Sequence, residues 1–237
     1  MLRVLWSRLA DAAIFRGTIP TSPAMEIVYR DLFLRELARA GVEDVFYPVG
    51  GAANHGLLYL IARALNTFDI PSVVELGAGQ TTLLLDRMAK AGGDRPAIRT
   101  VEHDPRWAER IGAQVAHPLI AAPLRSRRMD GRKVSFYDVD PAELGRDIAL
   151  AVIDGPPAST ARRRFARLGA FELLRDRLAA DCIVIVDDAE RIGERRLSRL
   201  FEAHFRSRGC DYAIGRVHAN KCQTVIATGR FRGAAHF

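Results

Sequence analysis

VVELGAGQTT, residues 73–82, is an apolar run that ends in an acid and then places two glycines within three positions. An apolar run bounded in this way predicts a buried strand, and the glycines predict a tight turn with an accessible backbone. The polar residues Gln80, Thr81 and Thr82 then open a helix whose first N–H groups lack intrahelical partners. The stretch therefore predicts a strand–turn–helix unit with a ligand at its turn.

The chain after residue 70 repeats this alternation of strand and helix. Further strands are predicted at IRTVEHD, IALAVIDG and DCIVIVDD, and helices at PRWAERIGAQV, residues 160–179 and residues 190–207. Residues 118–138 predict a strand and then a hairpin-like excursion, and two last strands flank a turn at Ala219–Lys221. This pattern predicts an α/β fold with a doubly wound parallel sheet and an antiparallel edge.

Residues 1–69 show helical periodicity instead. Helices are predicted at MEIVYRDLFLRELARAG, where Gly41 suits a C-cap, and at NHGLLYLIARALNTF, where Asn54 suits an N-cap. A glycine-rich connector, FYPVGGAANHG, joins them. We therefore expect residues 1–69 to form an N-terminal helical extension or lid, and residues 70–237 to form the ligand-binding domain.

The 237 residues carry a formal net charge of +7, most of which comes from clusters of arginine. Such charge favours an anionic partner, although arginines that only solvate helices explain it equally well. Aromatic residues do not interleave with the basic clusters, so stacking on single-stranded nucleic acid is disfavoured. No apolar stretch reaches the roughly 18 to 20 residues of a membrane span, and three scattered cysteines predict neither a disulfide framework nor a zinc site. These features predict a protein of the reducing cytoplasm, without a transmembrane segment.

Each of four apolar runs ends in an acid. Glu75, Glu102 and Asp154 end the first three, and Asp187 with Asp188 ends the fourth. In a doubly wound sheet, the ligand lies beyond the carboxyl ends of the strands. These acids are therefore the first candidates for site residues.

The spacing of glycines and acids restricts the ligand. The dinucleotide fingerprint G-x-G-x-x-G needs a third glycine where this chain has Thr82, which weakens the case for a diphosphate. Glu102, at the tip of the next strand, can accept hydrogen bonds from both hydroxyls of a ribose. The ligand that suits these residues has a ribose and a cationic or amino-acid end. An NAD-type Rossmann oxidoreductase and a nucleic-acid-binding module are the alternatives.

VVELGAGQTT and TVEHDPRW resemble the first motif and the ribose-binding strand end of the class I S-adenosylmethionine-dependent methyltransferases, and the resemblance extends over residues 70–229. It implies a seven-stranded Rossmann-like sheet with an antiparallel last strand, and S-adenosyl-L-methionine as the cofactor of residues 70–237. The residues that it implies for cofactor binding are Glu75, Gly77, Gly79, Gln80, Thr81, Glu102, His103 and Asp154. Among them, Glu75 and the glycines border the methionine part, Glu102 binds the ribose and His103 lies alongside the adenine.

VIDGPP, followed by RRRFARL and IVIVDDAER, resembles a branch of this superfamily with members that act on sugars and small molecules, among them the plant glucuronoxylan O-methyltransferases. The match is by short motif only. It implies O-methylation of a small-molecule or saccharide acceptor, and the arginine clusters would suit an anionic one.

Asp154, Asp187 and Asp188 admit three roles. They resemble the metal-binding acids of catechol and caffeoyl-coenzyme A O-methyltransferases, and such a cluster could hold Mg²⁺. Alternatively, Asp154 acts as a general base with Asp188 assisting it. As a third reading, the acids only cap the strand ends and pair with arginines, for which the candidates are Arg163, Arg164 and Arg191.

His55 is a further catalytic candidate, because the connector before it could fold over the cofactor as a lid. Tyr137 would either stack on a ligand or pack in the core, and Lys221 would either reach the mouth of the site or lie in a solvated turn. The N-terminal helices are candidates for the face of a homodimer.

Overall fold

The computed structural model describes residues 21–48, 51–93 and 95–237. Two helices come first, α1 (Met25–Ala40) and α2 (His55–Thr67). Gly41 ends α1 with a left-handed φ of 69°, and the Asn54 side chain accepts the Leu57 N–H at the start of α2. Both predicted caps are confirmed. The N-terminal stretch before residue 21 and Gly50 of the connector lie outside the described residues.

The remaining elements alternate as the sequence predicts. In chain order they are β1 (Ser72–Leu76), α3 (Gln80–Ala91), β2 (Ala97–Glu102), α4 (Pro105–Gly112), β3 (Leu119–Ala121), β4 (Leu124–Met129), β5 (Arg132–Tyr137), β6 (Ile148–Ile153), α5 (Gly169–Leu174), β7 (Leu178–Val186), α6 (Ile192–Ser207), β8 (Tyr212–His218) and β9 (Cys222–Thr228). Short 3₁₀ helices cover Pro141–Leu144, Ala166–Leu168 and Gly229–His236. The predicted hairpin is the separate two-stranded sheet of β4 and β5.

Seven strands form the main sheet in the order β3-β2-β1-β6-β7-β9-β8. The first five are parallel, and β9 runs antiparallel to both of its neighbours. Glu75 on β1 is level with Thr100 on β2 and with Val152 on β6, so the parallel strands end together. This is the predicted seven-stranded Rossmann-like sheet with an antiparallel last strand, preceded by N-terminal helices.

The alternation of side chains along the strands divides the core into two layers. On one face, Val73 and Val152 pack with α1, α2 and α3. On the other face, Val74 and Ala151 pack with α5, α6 and the end of β5. Because α2 and α3 pack on the same face of the sheet, the first turn of α3 is held in place, and its residues Thr81 and Thr82 are buried. The division into an extension and a domain at residue 69 stays a prediction.

The helix predicted at residues 160–179 is confirmed only over its middle part. Residues 161–165 form turns, α5 is short, and β7 already begins at Leu178. The reason lies in two tertiary contacts of this segment. Arg167 is buried with its guanidinium turned towards the ends of β6 and β7, and the backbone of Arg164 lies so close to Gly193 that a Cβ there would approach its carbonyl oxygen to 1.8 Å. Within the described residues, no helix is long and apolar enough to cross a membrane.

Candidate active site

A cavity of about 800 Å³ opens at the carboxyl ends of β1, β2, β6 and β7. Its walls contain the loop after β1, the acids that end β2 and β6, and part of the connector before α2. Its size lies within the usual range for small-molecule and cofactor sites, about 300 to 1,000 Å³. Of the predicted site residues, the cavity is lined by Gly77, Gly79, Gln80, Thr81, Glu102, His103, Asp154 and Asp188.

The backbones of two loops meet at Gly77. This residue has a φ of 99°, which favours glycine, and a Cβ at this position would lie 2.9 Å from the Gly155 nitrogen. Its own N–H donates to the carbonyl of Val101. The glycine loop after β1 is therefore held directly against the loop that carries Asp154, with no room for a side chain between them.

Glu75 lies under the glycine loop instead of on the cavity wall. Its carboxylate is fully buried and accepts hydrogen bonds from the hydroxyls of Thr82, at 2.6 Å, and Thr100, at 2.8 Å. Burial raises the pKa of Glu75 to about 7, against the opposing effect of the threonine hydrogen bonds. The Thr82 hydroxyl in turn accepts the Gly79 N–H, so Glu75 acts on the loop through Thr82.

Glu102 joins the cavity wall to the same loop. One carboxylate oxygen accepts the Ala78 N–H at 3.0 Å, and the other accepts the N–H groups of His103 and Asp104. The indole N–H of Trp107 donates to the Ala78 carbonyl and also lines the cavity. The sequence analysis missed Trp107, although its place in the first turn after HDP could have drawn attention to it.

Tyr137 presents an unsatisfied hydroxyl at the cavity. Its side chain is buried, and the hydroxyl has no hydrogen-bond partner within the described part of the chain. A Cβ at Gly155 would lie 2.1 Å from this oxygen, so the glycine creates the space that it occupies. Burial, followed by the nearby Glu102 charge, raises the pKa of Tyr137 well above its ordinary value. Tyr137 packs in the core, as one reading predicts, and it also lines the cavity, whereas stacking on a ligand stays a prediction.

Three carboxylates gather at the ends of β6 and β7. Single oxygens of Asp154, Asp187 and Asp188 lie within 4.8 Å of one another. Asp188 adopts a left-handed φ of 55°, which is rare for a residue other than glycine and marks a constrained position. Asp187 is fully buried, does not line the cavity and accepts the Gln223 amide at 2.6 Å.

The guanidinium of Arg167 fills the space between these acids. One terminal nitrogen lies 3.1 Å from the Asp154 carboxylate and 3.0 Å from the Asp188 carboxylate. Its other nitrogens donate to the backbone carbonyls of Pro156 and Asp187. Its side chain is 5% exposed, so the carboxylates hold a cation that the protein itself supplies.

Two more cations complete the cluster. Arg191 lies 2.7 Å from Asp188, and the ammonium of Lys221 lies 3.6 Å from Asp187 and 3.8 Å from Asp188. Lys221 also donates to the carbonyl of Ala52 in the connector, so the solvated-turn reading of Lys221 is wrong. Arg191 pairs with one of the three acids, as predicted, but Arg167, which was not predicted, pairs with two of them. The sequence alone does not distinguish Arg167 from the arginines that precede it.

Only part of this donor set is open to a divalent cation, because two carboxylate oxygens of the cluster, Asp187 Oδ2 and Asp188 Oδ1, are buried without a hydrogen-bond partner in the described residues. Mg²⁺ requires about six oxygen ligands near 2.0 to 2.1 Å in octahedral geometry. Here the carboxylates of Asp154 and Asp188 are already bonded to Arg167, and Lys221 faces the remaining acid. A dication at those two oxygens would be repelled by the ammonium of Lys221, which lies 3.6 and 3.8 Å from them, and by the buried guanidinium of Arg167.

The acids of the cluster differ in proton affinity. Burial and the adjacent charge of Asp187 raise the pKa of Asp154 well above its ordinary value, although Arg167 opposes this. Burial also opposes ionisation of Asp187, but Lys221, Arg167 and the Gln223 hydrogen bond together lower its pKa. Asp154 is thus the acid that binds a proton most readily, and it lines the cavity.

His55 lies apart from the cavity. Its ring nitrogen is 2.9 Å from Glu26 on α1, its backbone N–H donates to the same carboxylate, and its ring is 6.3 Å from that of Phe33. The side chain joins α1 to α2. The connector just before it does reach the site, because Tyr47, Gly51 and Ala53 line the cavity.

Residues 74–189 match a protein family described as "Methyltransferase domain". This span runs from β1 to the acids after β7 and carries most of the cavity wall. Comparison with curated protein sequences gave no match.

Among solved structures, cofactor-bound Rv0187 from MTB is similar at 16% identity, with a TM-score of 0.51, and the match covers 89% of this chain and 98% of that chain. The O-methyltransferase TomG from Streptomyces achromogenes, in complex with S-adenosylmethionine, is matched at 12% identity and a TM-score of 0.46, over 96% of this chain and 99% of that chain. An O-methyltransferase from Bacillus cereus in complex with S-adenosylhomocysteine is matched at 12% identity and a TM-score of 0.48, over 97% and 100%. Residues 74–189 thus match the methyltransferase-domain family, and the seven-stranded sheet around them has the Rossmann-like fold of class I methyltransferases.

Proposed function

We propose that the protein transfers the methyl group of S-adenosylmethionine to a hydroxyl oxygen of a small-molecule or saccharide acceptor. The observation that carries this proposal is the contact between the two loops of the cavity. Gly77 and Asp154 are in backbone contact, since a Cβ at Gly77 would lie 3.0 Å from the Asp154 carbonyl carbon. A cofactor along the glycine loop would therefore have its reactive end beside the acid that most readily accepts a proton.

We call the part of the cavity formed by Gln80, Thr81, Glu102 and Tyr137 the cofactor wall. Its residues suit the parts of S-adenosylmethionine. The first N–H groups of α3, at Gln80 and Thr81, are free of intrahelical partners and face the cavity end of the helix. Glu102 can accept from ribose hydroxyls, and the unsatisfied Tyr137 hydroxyl can donate to the cofactor. Each of these groups would gain a partner when the cofactor binds.

The connector covers this wall. The Tyr47 N–H donates to the side chain of Gln80 at 2.7 Å, and Lys221 donates to the Ala52 carbonyl. These bonds join the connector to both sides of the cavity, at the cofactor loop and at the acidic cluster. We infer that the connector excludes water from the bound cofactor, as a lid does.

The chemical step requires positioning and one proton acceptor. The bound cofactor supplies a methyl group on a positively charged sulfur, so the protein need not activate the donor. Asp154 takes the proton of the acceptor hydroxyl, and its raised pKa makes it a stronger base than an ordinary aspartate. Arg167 fixes the orientation of Asp154 from behind, while Asp188 holds Arg167 and Arg191 in place.

No step of this proposal uses a metal ion. In metal-assisted transfer, a divalent cation binds the acceptor oxygen and lowers its pKa. The positive charges of Arg167 and Lys221 already neutralise the acids at this position. We therefore assign the electrostatic stabilisation of the site to side chains of the protein.

Calorimetric titration with S-adenosylmethionine and with NAD tests the cofactor. We expect binding of S-adenosylmethionine and none of NAD, whereas the reverse result would establish the oxidoreductase alternative. Gly79→Leu should abolish binding without unfolding the protein, because a Cβ at Gly79 meets nothing within 4 Å and its φ is extended. Gly233→Leu, at a position away from the cavity where a Cβ also meets only an ordinary contact, is the matched control.

A further inference from the structure

A second cavity, of about 410 Å³, lies between the turn of the β4–β5 hairpin, the segment before α5 and the first two turns of α6. We refer to it as the arginine pocket. Its lining residues are Asp130, Arg132, Phe165, Ile192, Arg195, Arg196 and Arg199. Four cations therefore face one acid in a concave site that takes no part in the proposed methyl transfer.

The single acid is already engaged. Both oxygens of Asp130 accept from Arg196, at 2.8 and 3.1 Å. This fork arrangement fixes one guanidinium at the rim of the pocket. Asp130 is thereby occupied by Arg196, and Arg132 and Arg199 face the pocket as exposed cations.

The arginines of α6 lie on one face of the helix. Ile192, Arg195, Arg196 and Arg199 are spaced by three, one and three residues, which places them along a single stripe. The first arginine of the stripe, Arg195, is the fourth residue of α6, and Arg199 lies one turn further along. Like charges three and four residues apart on a helix repel one another, and a bound anion would offset this repulsion.

An apolar wall lies beside the charges. The guanidinium of Arg132 lies over the Phe165 ring, 4.3 Å from its centroid, and Ile192 is an exposed apolar side chain. Stacking holds Arg132 in a defined orientation, and the Arg164 guanidinium lies 5.2 Å from the same ring centroid. The exposed Ile192 therefore supplies the open apolar surface beside the charges. A ligand that fits both features has a polyanionic group attached to a flat or apolar group.

Consecutive residues at the start of α6 line the cavity of the proposed methyl transfer and the arginine pocket. Arg191 lines that cavity and Ile192, the next residue, lines the arginine pocket. One ligand could thus extend from one site to the other across the start of α6.

We propose that the arginine pocket binds a phosphate group, and that it holds the phosphorylated end of the methyl acceptor. The second clause rests on the proposed function. Arginine is suited to this ligand because its planar fork matches the oxygens of phosphate. The pocket would thereby select phosphorylated acceptors over their unphosphorylated counterparts.

Calorimetry with phenyl phosphate tests the proposal, since this probe joins a phosphate to a flat ring. We expect the wild-type protein to bind phenyl phosphate and to bind phenol far more weakly. Arg199→Glu and the milder Arg199→Ala should weaken binding by roughly tenfold or more, as expected for loss of a charged hydrogen bond. Arg35→Glu, at an exposed position on α1, makes the same charge change and should leave the affinity unaltered.

A second titration in the presence of S-adenosylhomocysteine places the probe. Phenyl phosphate should still bind, because the arginine pocket is separate from the cofactor wall. Loss of binding under these conditions, equal binding by Arg199→Ala, or no binding by the wild type would each overturn the proposal. Failure of the proposed function would give a different result from failure of this proposal. S-adenosylhomocysteine would then not bind, while phenyl phosphate would still bind in a manner that depends on Arg199.

Discussion

The hydroxyl of Thr82 donates a 2.6 Å hydrogen bond to the buried carboxylate of Glu75. The same hydroxyl accepts the Gly79 N–H at 2.9 Å. Thr82 stands where the dinucleotide fingerprint has its third glycine, so this chain fixes its glycine loop with a side chain at that position. Glu75 thus influences the cofactor loop without lining the cavity.

Stability should depend on pH through Glu75. Its pKa is raised to about 7 from an ordinary value of 4.5, so its contribution to stability is complete below about pH 4.5 and is lost as the pH rises through 7. The difference corresponds to about 3 kcal/mol in the free energy of unfolding. Glu75→Gln retains oxygen acceptors for the threonines and should lack this component, as measured by denaturant unfolding between pH 4.5 and 8.

The useful quantity is the difference between variant and wild type, because other buried acids contribute equally to both. This difference should move in favour of Glu75→Gln as the pH rises. Glu43→Gln, at an exposed position, is the control for removal of one charge. A difference that stays constant with pH would contradict the prediction.

Removal of the Thr82 hydroxyl should disturb the loop. Thr82→Val preserves the shape of the side chain, but it leaves the Gly79 N–H unpaired and takes one donor from Glu75. We expect a loss of about 1 to 3 kcal/mol in the free energy of unfolding, with weaker S-adenosylmethionine binding in calorimetry. Thr82→Ser should restore both, whereas Thr67→Val at an exposed site should change neither. Unchanged cofactor affinity in Thr82→Val would refute the positioning role.

The fold follows from local features that the sequence displays. Buried parallel strands are continuous apolar runs, and caps such as Gly41 and Asn54 act within a few residues. The sheet order and the cavity at the strand ends then follow from the alternation of strand and helix. This is why the strand-end acids Glu102 and Asp154 could be selected as site residues before the structure.

The rest of the site depends on contacts between residues far apart in sequence. Arg167 is one of several arginines in its segment, and its burial against Asp188 became visible only in three dimensions. The same contact shortens the helix predicted at residues 160–179. His55 could not be assigned from its glycine-rich surroundings, since its partner Glu26 lies on another helix.

Asp154→Asn should abolish proton removal while preserving the site. The amide retains the size of the side chain but cannot accept the hydroxyl proton, so we expect kcat to fall by roughly 10²-fold to 10⁴-fold. The affinity for S-adenosylmethionine should change far less. Assays would use an acceptor found by screening with labelled cofactor, and Asp31→Asn on α1 is the control. A decrease in cofactor affinity as large as that in kcat would assign Asp154 to binding instead of proton transfer.

The pH profile of the wild type offers an independent check of the same residue. Because the pKa of Asp154 is raised and the base must be ionised, activity should increase with pH through a range well above that of an ordinary aspartate. The profile should be read from kcat with both substrates saturating. An acidic limb in the ordinary range of aspartate would show that another group is the base.

Metal independence is the last prediction, and it follows from the position of Arg167. Turnover should be the same after EDTA treatment and after addition of Mg²⁺, because the acids already hold an internal cation. Arg167→Met removes that cation and leaves buried carboxylates uncompensated, which should lower the free energy of unfolding by about 3 to 5 kcal/mol. Thermal unfolding with and without Mg²⁺ distinguishes acids that are paired with Arg167 from acids that have lost this partner. Mg²⁺ should raise the melting temperature of Arg167→Met, because Asp154 and Asp188 have lost their arginine partner there. It should leave the melting temperatures of the wild type and of the exposed control Arg35→Met unchanged. Stabilisation of the wild type by Mg²⁺, together with loss of turnover in EDTA, would show instead that a metal ion displaces Arg167 during catalysis.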